Sequence, residues 1–370
     1  MRELPAGCGA IRYVCPVSAR WSCLAGIALF YVPFLAWVCL FIALFAWGGA
    51  FGLALTLLVA AVIGYAIYFV MILTSQMQHR GVRVTGQDQP ELLAVVDKVM
   101  QQAGIKRLDG VWLAPEPNAW ALAGRRDWLG RRHVGVAIGL LMAAHVSADE
   151  LTAILAHEAG HLTDPDFLRH SLAARRRSIC RKLKFRTSWP LRWYWRWVLK
   201  VTREQGVAVE RHADAVAVRM CGADLAAQAQ HRVAEASCVH AIAMKLLIRP
   251  CWERRIAPAT FFQAYEAVWN RAPERVEAAV AAWMKAPEKP DDTHPGLAER
   301  CGGRSFPLAA RLRGDIPLAG LADLDRRFAV SLRWQEARYP MKTMTWAEMK
   351  AERASQKAAK NGKAPSEVAT

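Results

Sequence analysis

Between Leu24 and Thr74 the chain has no Asp, Glu, Lys or Arg. That absence excludes a water-exposed segment, since so long an uncharged apolar run is at home only in lipid. Trp47-Gly48-Gly49-Ala50 interrupts it as a tight turn. Each half is then about 24 residues, or about 36 Å as helix, enough for a ~30 Å hydrocarbon core. Residues 21–75 therefore read as a two-helix transmembrane hairpin. Acidic residues are also missing from Arg169 to Arg203. None of the nine cysteines forms a C-x-x-C pair, which excludes a zinc ribbon or dithiol redox site. A Gly-rich phosphate loop and internal repeats are absent too, so neither a P-loop nucleotide site nor a solenoid is expected.

What is present fixes the orientation. Arg2, Arg12 and Arg20 precede the hairpin and Arg80 and Arg83 follow it, while the connecting turn is uncharged. Positive flanks stay on the cytoplasmic side. The expectation is an integral protein of the inner or plasma membrane. Residues 1–20 then form a cytoplasmic segment, and the domain of residues 76–335 is expected on the same side. Residues 336–370, rich in Lys, Ala and Ser without an apolar period, read as a mobile charged tail.

His157-Glu158-Ala159-Gly160-His161 is an H-E-x-x-H. On a helix it sets two imidazoles on adjacent turns of one face, where both reach one zinc ion. The intervening Glu158 then acts as general base toward a zinc-activated water. Ser147 and Glu150 form a capping box at the helix start, and Leu151, Ile154 and Leu155 supply its apolar face. Metzincins continue with a Gly at position 164 and a His at 167, whereas this chain has Asp164 and Phe167. The other common third ligand is a Glu from a later helix. Glu210 lies in the helix-like run Gly206 to Met220, with Asp214 one turn further on the same face. Glu210 is the expected third ligand, and Asp214 the acceptor for the remaining N–H of His157.

These residues resemble the HtpX-like and CAAX-prenyl-protease-like membrane zinc metallopeptidases, which are gluzincins. Asn118-Ala119-Trp120-Ala121 resembles the segment ahead of their active-site helix, and Thr293-His294-Pro295 with Arg300 resembles a late H-P…R element. The resemblance covers roughly residues 85 to 310. It implies that Asn118 and Ala119 lie on or beside an edge strand that pairs with extended substrate. It also implies that His294 and Arg300 stabilise the oxyanion. The implied fold is mainly α with a small β-sheet.

Residues 169–203 carry Arg175-Arg176-Arg177 and further Arg and Lys interleaved with Trp189, Trp193, Tyr194, Trp195 and Trp197. Much of the formal charge of +17 comes from here. Trp and Tyr favour the headgroup region, and basic residues are drawn to anionic cytoplasmic lipid. Membrane-surface docking by an in-plane helix from Leu191 to Val201 is therefore favoured over nucleic-acid binding. Short strands are expected at Val111–Leu113 and Val134–Ile138. Helices are expected at Pro90–Ala103, Ala223–Leu247, Pro258–Trp269 and Glu274–Met284. The expected function is a membrane-anchored zinc metalloendopeptidase with one Zn2+ per chain, acting on membrane or misfolded polypeptides. The alternatives are a zinc-containing membrane scaffold or sensor, and a CAAX-type processing protease.

Overall fold

Periodic apolar spacing and β-branched runs set the order of elements in the computed structural model. It describes residues 81–125, 132–164, 189–287, 295–309, 315–336 and 342–360, with four helical positions between 39 and 46. The fold is mainly helical with a small sheet. The contacts divide the chain into two units, residues 80–162, 216–287 and 296–370 in one, and residues 1–79, 163–215 and 288–295 in the other.

In the first unit, β1 (Val82–Val84) leads to α1 (Pro90–Gln102), whose Leu92, Val96, Val99 and Met100 are buried at helical spacing. β2 (Gly110–Ala114), β3 (Ala119–Arg125) and β4 (Arg132–Gly139) complete a sheet of order β1-β2-β4-β3. β2 and β4 are parallel, while β3 runs antiparallel to β4 and forms the sheet's edge. A tight crossing sets where β3 begins. A Cβ on Gly139 would stand 1.9 Å from the carbonyl oxygen of Glu116, so only glycine lets the turn before Asn118 pass over the end of β4.

α2 (Leu140–His145) and α3 (Ala148–Thr163) follow directly. Leu151, Ile154 and Leu155 of α3 join α1 and the sheet in one apolar core. α4 (Trp189–Cys221) is a single helix of 33 residues. Pro190 is its second residue, where a missing N–H costs nothing, and residues 191–201 and 206–220, expected as separate helices, are continuous. Gly222, at φ +87°, ends α4 in a conformation that other residues rarely adopt.

α5 (Ala223–Ala243) passes through a π-helical turn, Met244–Ile248, into α6 (Arg249–Glu253). Pro250 has no N–H to return to the preceding turn, and the wider turn lies just ahead of it. β5 (Ile256–Pro258), α7 (Phe262–Arg271), α8 (Pro273–Met284) and α9 (Leu297–Arg300) come next. α10 (Leu321–Glu336), β6 (Lys342–Met344) and α11 (Trp346–Lys360) close the chain. A second core gathers Val239, Ile248, Tyr265, Trp269 and Val276 around α5, α7 and α8.

Two further expectations need correction. The helix expected from Pro258 starts at Phe262, because β5 takes residues 256–258 and Asp325 accepts the N–H groups of Phe261 and Phe262. The tail expected to be mobile contains β6, paired in parallel with β5, and α11. Met344 and Met349 are buried there, and the Trp346 indole N–H donates to the Thr260 carbonyl at 2.9 Å. Residues 361–370 lie outside the described residues. No helix of the described residues is long and apolar enough to cross a membrane. The expected hairpin at 21–75 falls outside them apart from the four positions noted, as do residues 169–188 of the basic stretch.

Candidate metal centre

The start of α3 is held from two directions. Glu150 N–H donates to Ser147 Oγ (3.1 Å) and Ser147 N–H donates to Glu150 Oε2 (2.9 Å), so the capping box forms as its spacing predicts. The other oxygen of Glu150 accepts from Gln228 Nε2 (2.7 Å) and Arg232 Nε (3.0 Å) on α5. Arg232 also donates from Nη1 to Glu235 Oε2 (2.6 Å) and to the Pro307 carbonyl (2.7 Å). The second oxygen of Glu235 accepts from Ala309 N–H (2.9 Å) and lies 3.6 Å from His145 Nε2. Burial alone would raise the Glu150 carboxyl, but the Ser147 N–H, Arg232 and Gln228 outweigh it and hold it below the usual range. Glu235 behaves likewise: burial is opposed by His145 and Arg232, and its carboxyl is lowered. No local sequence pattern announces this cluster, because its members come from α2, α3 and α5.

About two and a half turns along α3, the apolar residues give way to the motif. His157 and Glu158 are buried and His161 is half-buried. The two imidazoles meet edge to face, with ring centroids 4.8 Å apart and their Nε2 atoms 3.2 Å apart. Two nitrogens bound to one tetrahedral zinc at 2.0–2.1 Å would stand about 3.3 Å apart, so the pair fits such an ion. Among the described residues, His157, His161 and Glu210 each offer one ligand atom, and these atoms all lie within 4.8 Å of one another. Glu210 is buried on α4, and Asp214, one turn later, is half-buried.

Glu158 Oε2 accepts a 2.6 Å hydrogen bond from the backbone N–H of Ala121 in β3. Sequence reasoning reached Asn118 and Ala119 but not this contact, since a backbone donor has no side-chain signature. Asn118 is exposed, and its Oδ1 accepts from Ala119 N–H (2.9 Å) while its carbonyl accepts from Gly139 N–H (2.7 Å). Arg300, the last residue of α9, sets Nη2 at 3.3 Å from both ring nitrogens of His157. The neighbouring Cys301 is buried and donates from Sγ to the Ala227 carbonyl of α5. His294 lies outside the described residues. The off-site His231 and His240 sit elsewhere on α5, His231 buried and His240 beside the Tyr265 hydroxyl at 3.0 Å.

Comparison with known proteins is consistent with this arrangement. Residues 86–302 match the model of peptidase family M48. The chain is 34% identical over 129 residues to a protease HtpX homolog of Gemmatimonas aurantiaca, covering 34% of this chain and 44% of that one. It is 35% identical over 120 residues to protease HtpX of Aeromonas salmonicida, covering 30% and 40%. It is 37% identical over 132 residues to protease HtpX of Cellvibrio japonicus, covering 33% and 43%. The chain thus spans less than half the length of these relatives. No solved structure matches it. With more than half of its residues matched by the family model, the chain belongs to peptidase family M48.

Proposed function

We propose that this protein is a membrane-anchored zinc metalloendopeptidase with His157, His161 and Glu210 as metal ligands and Glu158 as general base. The observation that carries the reading is the convergence of two imidazoles and one carboxylate within 4.8 Å beside a further buried carboxylate. A zinc ion held there would supply Lewis acidity and lower the pKa of a water in the open position toward about 7. Glu158 takes the proton of the attacking water as its oxygen adds to the peptide carbonyl. It then returns that proton to the nitrogen that leaves as an amine. Arg300, beside His157, and His294 are assigned to the carbonyl oxygen as it gains charge. Asp214 accepts the N–H of a ligand imidazole, fixing the tautomer that presents a lone pair to the metal. Asn118 and Ala119, where the edge strand begins, receive an extended polypeptide by strand addition.

The hairpin at 21–75 anchors the enzyme with its catalytic domain on the cytoplasmic side, and residues 169–203 hold that domain against anionic headgroups. The substrates on this reading are membrane or misfolded polypeptides. The test is Glu158→Gln. The variant should keep about one zinc per chain and lose hydrolysis of an unfolded polypeptide, since an amide cannot accept the water's proton. Cleavage at the wild-type rate by that variant would sink the proposal.

A further inference from the structure

The outer edge of β3 is already occupied by oxygens of its own site. Neighbouring peptide groups of a strand point to opposite sides, so the direction of one bond fixes the rest. The Asn118 carbonyl accepts from Gly139 on β4. The N–H of Ala119 must then point away from β4, and so must that of Ala121 two residues on. Both outward donors are satisfied by side chains, Ala119 by Asn118 Oδ1 (2.9 Å) and Ala121 by Glu158 Oε2 (2.6 Å). An uncovered edge strand invites pairing with any extended chain. Here the first two donors are covered, and one cover is the carboxylate proposed to take the water's proton. A hydrogen bond to an ionised acceptor is among the stronger ones, so it does not yield to a chance encounter.

We propose that Ala121 is a substrate-binding residue whose N–H is exchanged between two acceptors. Glu158 holds it when no polypeptide is bound, and a carbonyl of the adding strand takes it over, releasing Glu158 toward the reacting water. Binding an extended chain and freeing the base are then one event. No bond other than hydrogen bonds changes. The inference rests on the peptidase reading, and binding by catalytically disabled protein separates the two.

The experiment is a double-mutant cycle on the zinc-loaded full chain in detergent, with reduced, carboxymethylated α-lactalbumin as the unfolded probe. Glu158→Gln keeps an uncharged acceptor on Ala121, whereas Glu158→Ala leaves its N–H open. Glu158→Ala should bind the probe about fivefold more tightly, the value of one net hydrogen bond. Ala121→Pro removes the donor, and proline is tolerated on an edge strand where its nitrogen faces outward. In the Ala121→Pro background the two Glu158 variants should bind alike. Hydrogen exchange gives a second measurement: one amide within residues 119–125 should exchange faster in Glu158→Ala than in Glu158→Gln, and slow again on adding the probe. Equal affinities and equal exchange would overturn the proposal. So would an affinity gap that persists with Ala121→Pro, because the gap would then reflect space vacated by Glu158. Cleavage by Glu158→Gln would instead count against the peptidase reading.

Discussion

Replacing Arg232 by Met tests the buried cluster that fixes the start of α3. Arg232 bridges Glu150 and Glu235, and the three side chains are 5%, 7% and 0% exposed. Met fills similar space but donates nothing, so two carboxylates and the Pro307 carbonyl lose a partner. Breaking a buried ion pair by removing one member costs about 3–5 kcal/mol, and at 2–4 °C per kcal/mol Tm should fall by roughly 10–15 °C. Tryptophan fluorescence during heating of the full chain in detergent would read it. The pH dependence identifies the cause. Glu150 and Glu235 are held below their ordinary value of 4.5, so their stabilisation is present above that pH and lost as pH falls through their folded values. Without Arg232 that contribution shrinks, and the gap between wild type and variant should narrow below pH 4.5. A Tm within about 2 °C of wild type, or a gap that stays constant into acid, would refute the reasoning.

Glu210→Ala should strip most of the zinc measured by elemental analysis, while Asp214→Ala should weaken affinity by only about 10–100-fold; unchanged zinc without Glu210 would mean a different third ligand. Burial pushes the His240 imidazole from 6.5 down to about 4, so the unfolded chain gains a proton first and stability should fall between those pH values. That drop corresponds to about 3 kcal/mol, and His240→Gln should flatten this part of a denaturation-versus-pH curve. A domain beginning at Arg80, which keeps β1 intact, should bind liposomes more as anionic lipid rises and less as salt rises. It should bind weakly with Trp193, Trp195 and Trp197 changed to Ser, whereas binding to RNA in place of liposomes would reverse the assignment.

The sequence was most legible where local chemistry and burial coincide. The Ser147–Glu150 box, the apolar stripe of α3, and the start of α1 at Pro90 each follow from spacing within one turn or two. The grouping of His157, His161 and Glu210, which could hold a metal ion, was legible because helical geometry relates His157 to His161, and a carboxylate on a largely apolar helix suggests a reason for its burial. β3 was harder, since Ala119–Arg125 is mostly Ala and Gly and its pairing is supplied by β4. The first residue of α7 depends on Asp325, more than 60 positions away. Arg232 finds its carboxylates through tertiary packing alone. In the last segment, Lys and Ser obscured two buried methionines and a strand whose partner is β5.

The pairing of β5 with β6 also bears on how the chain is made. Ile256 waits for Lys342, and the strand carrying Lys342 follows all the other elements of its unit except α11. During synthesis from the N-terminus, the first sheet and α3 therefore leave the ribosome while the edge of β5 is still bare. A parallel pair joined over so long a loop is slow to close. Until residues 342–349 arrive, β5 and the pocket for Met344 and Met349 stay open to other chains. The final residues of this unit thus act as its closing clasp. A nascent chain stalled before them would already carry His157, His161 and Glu210, yet leave a sticky edge for chaperones or neighbouring copies to find.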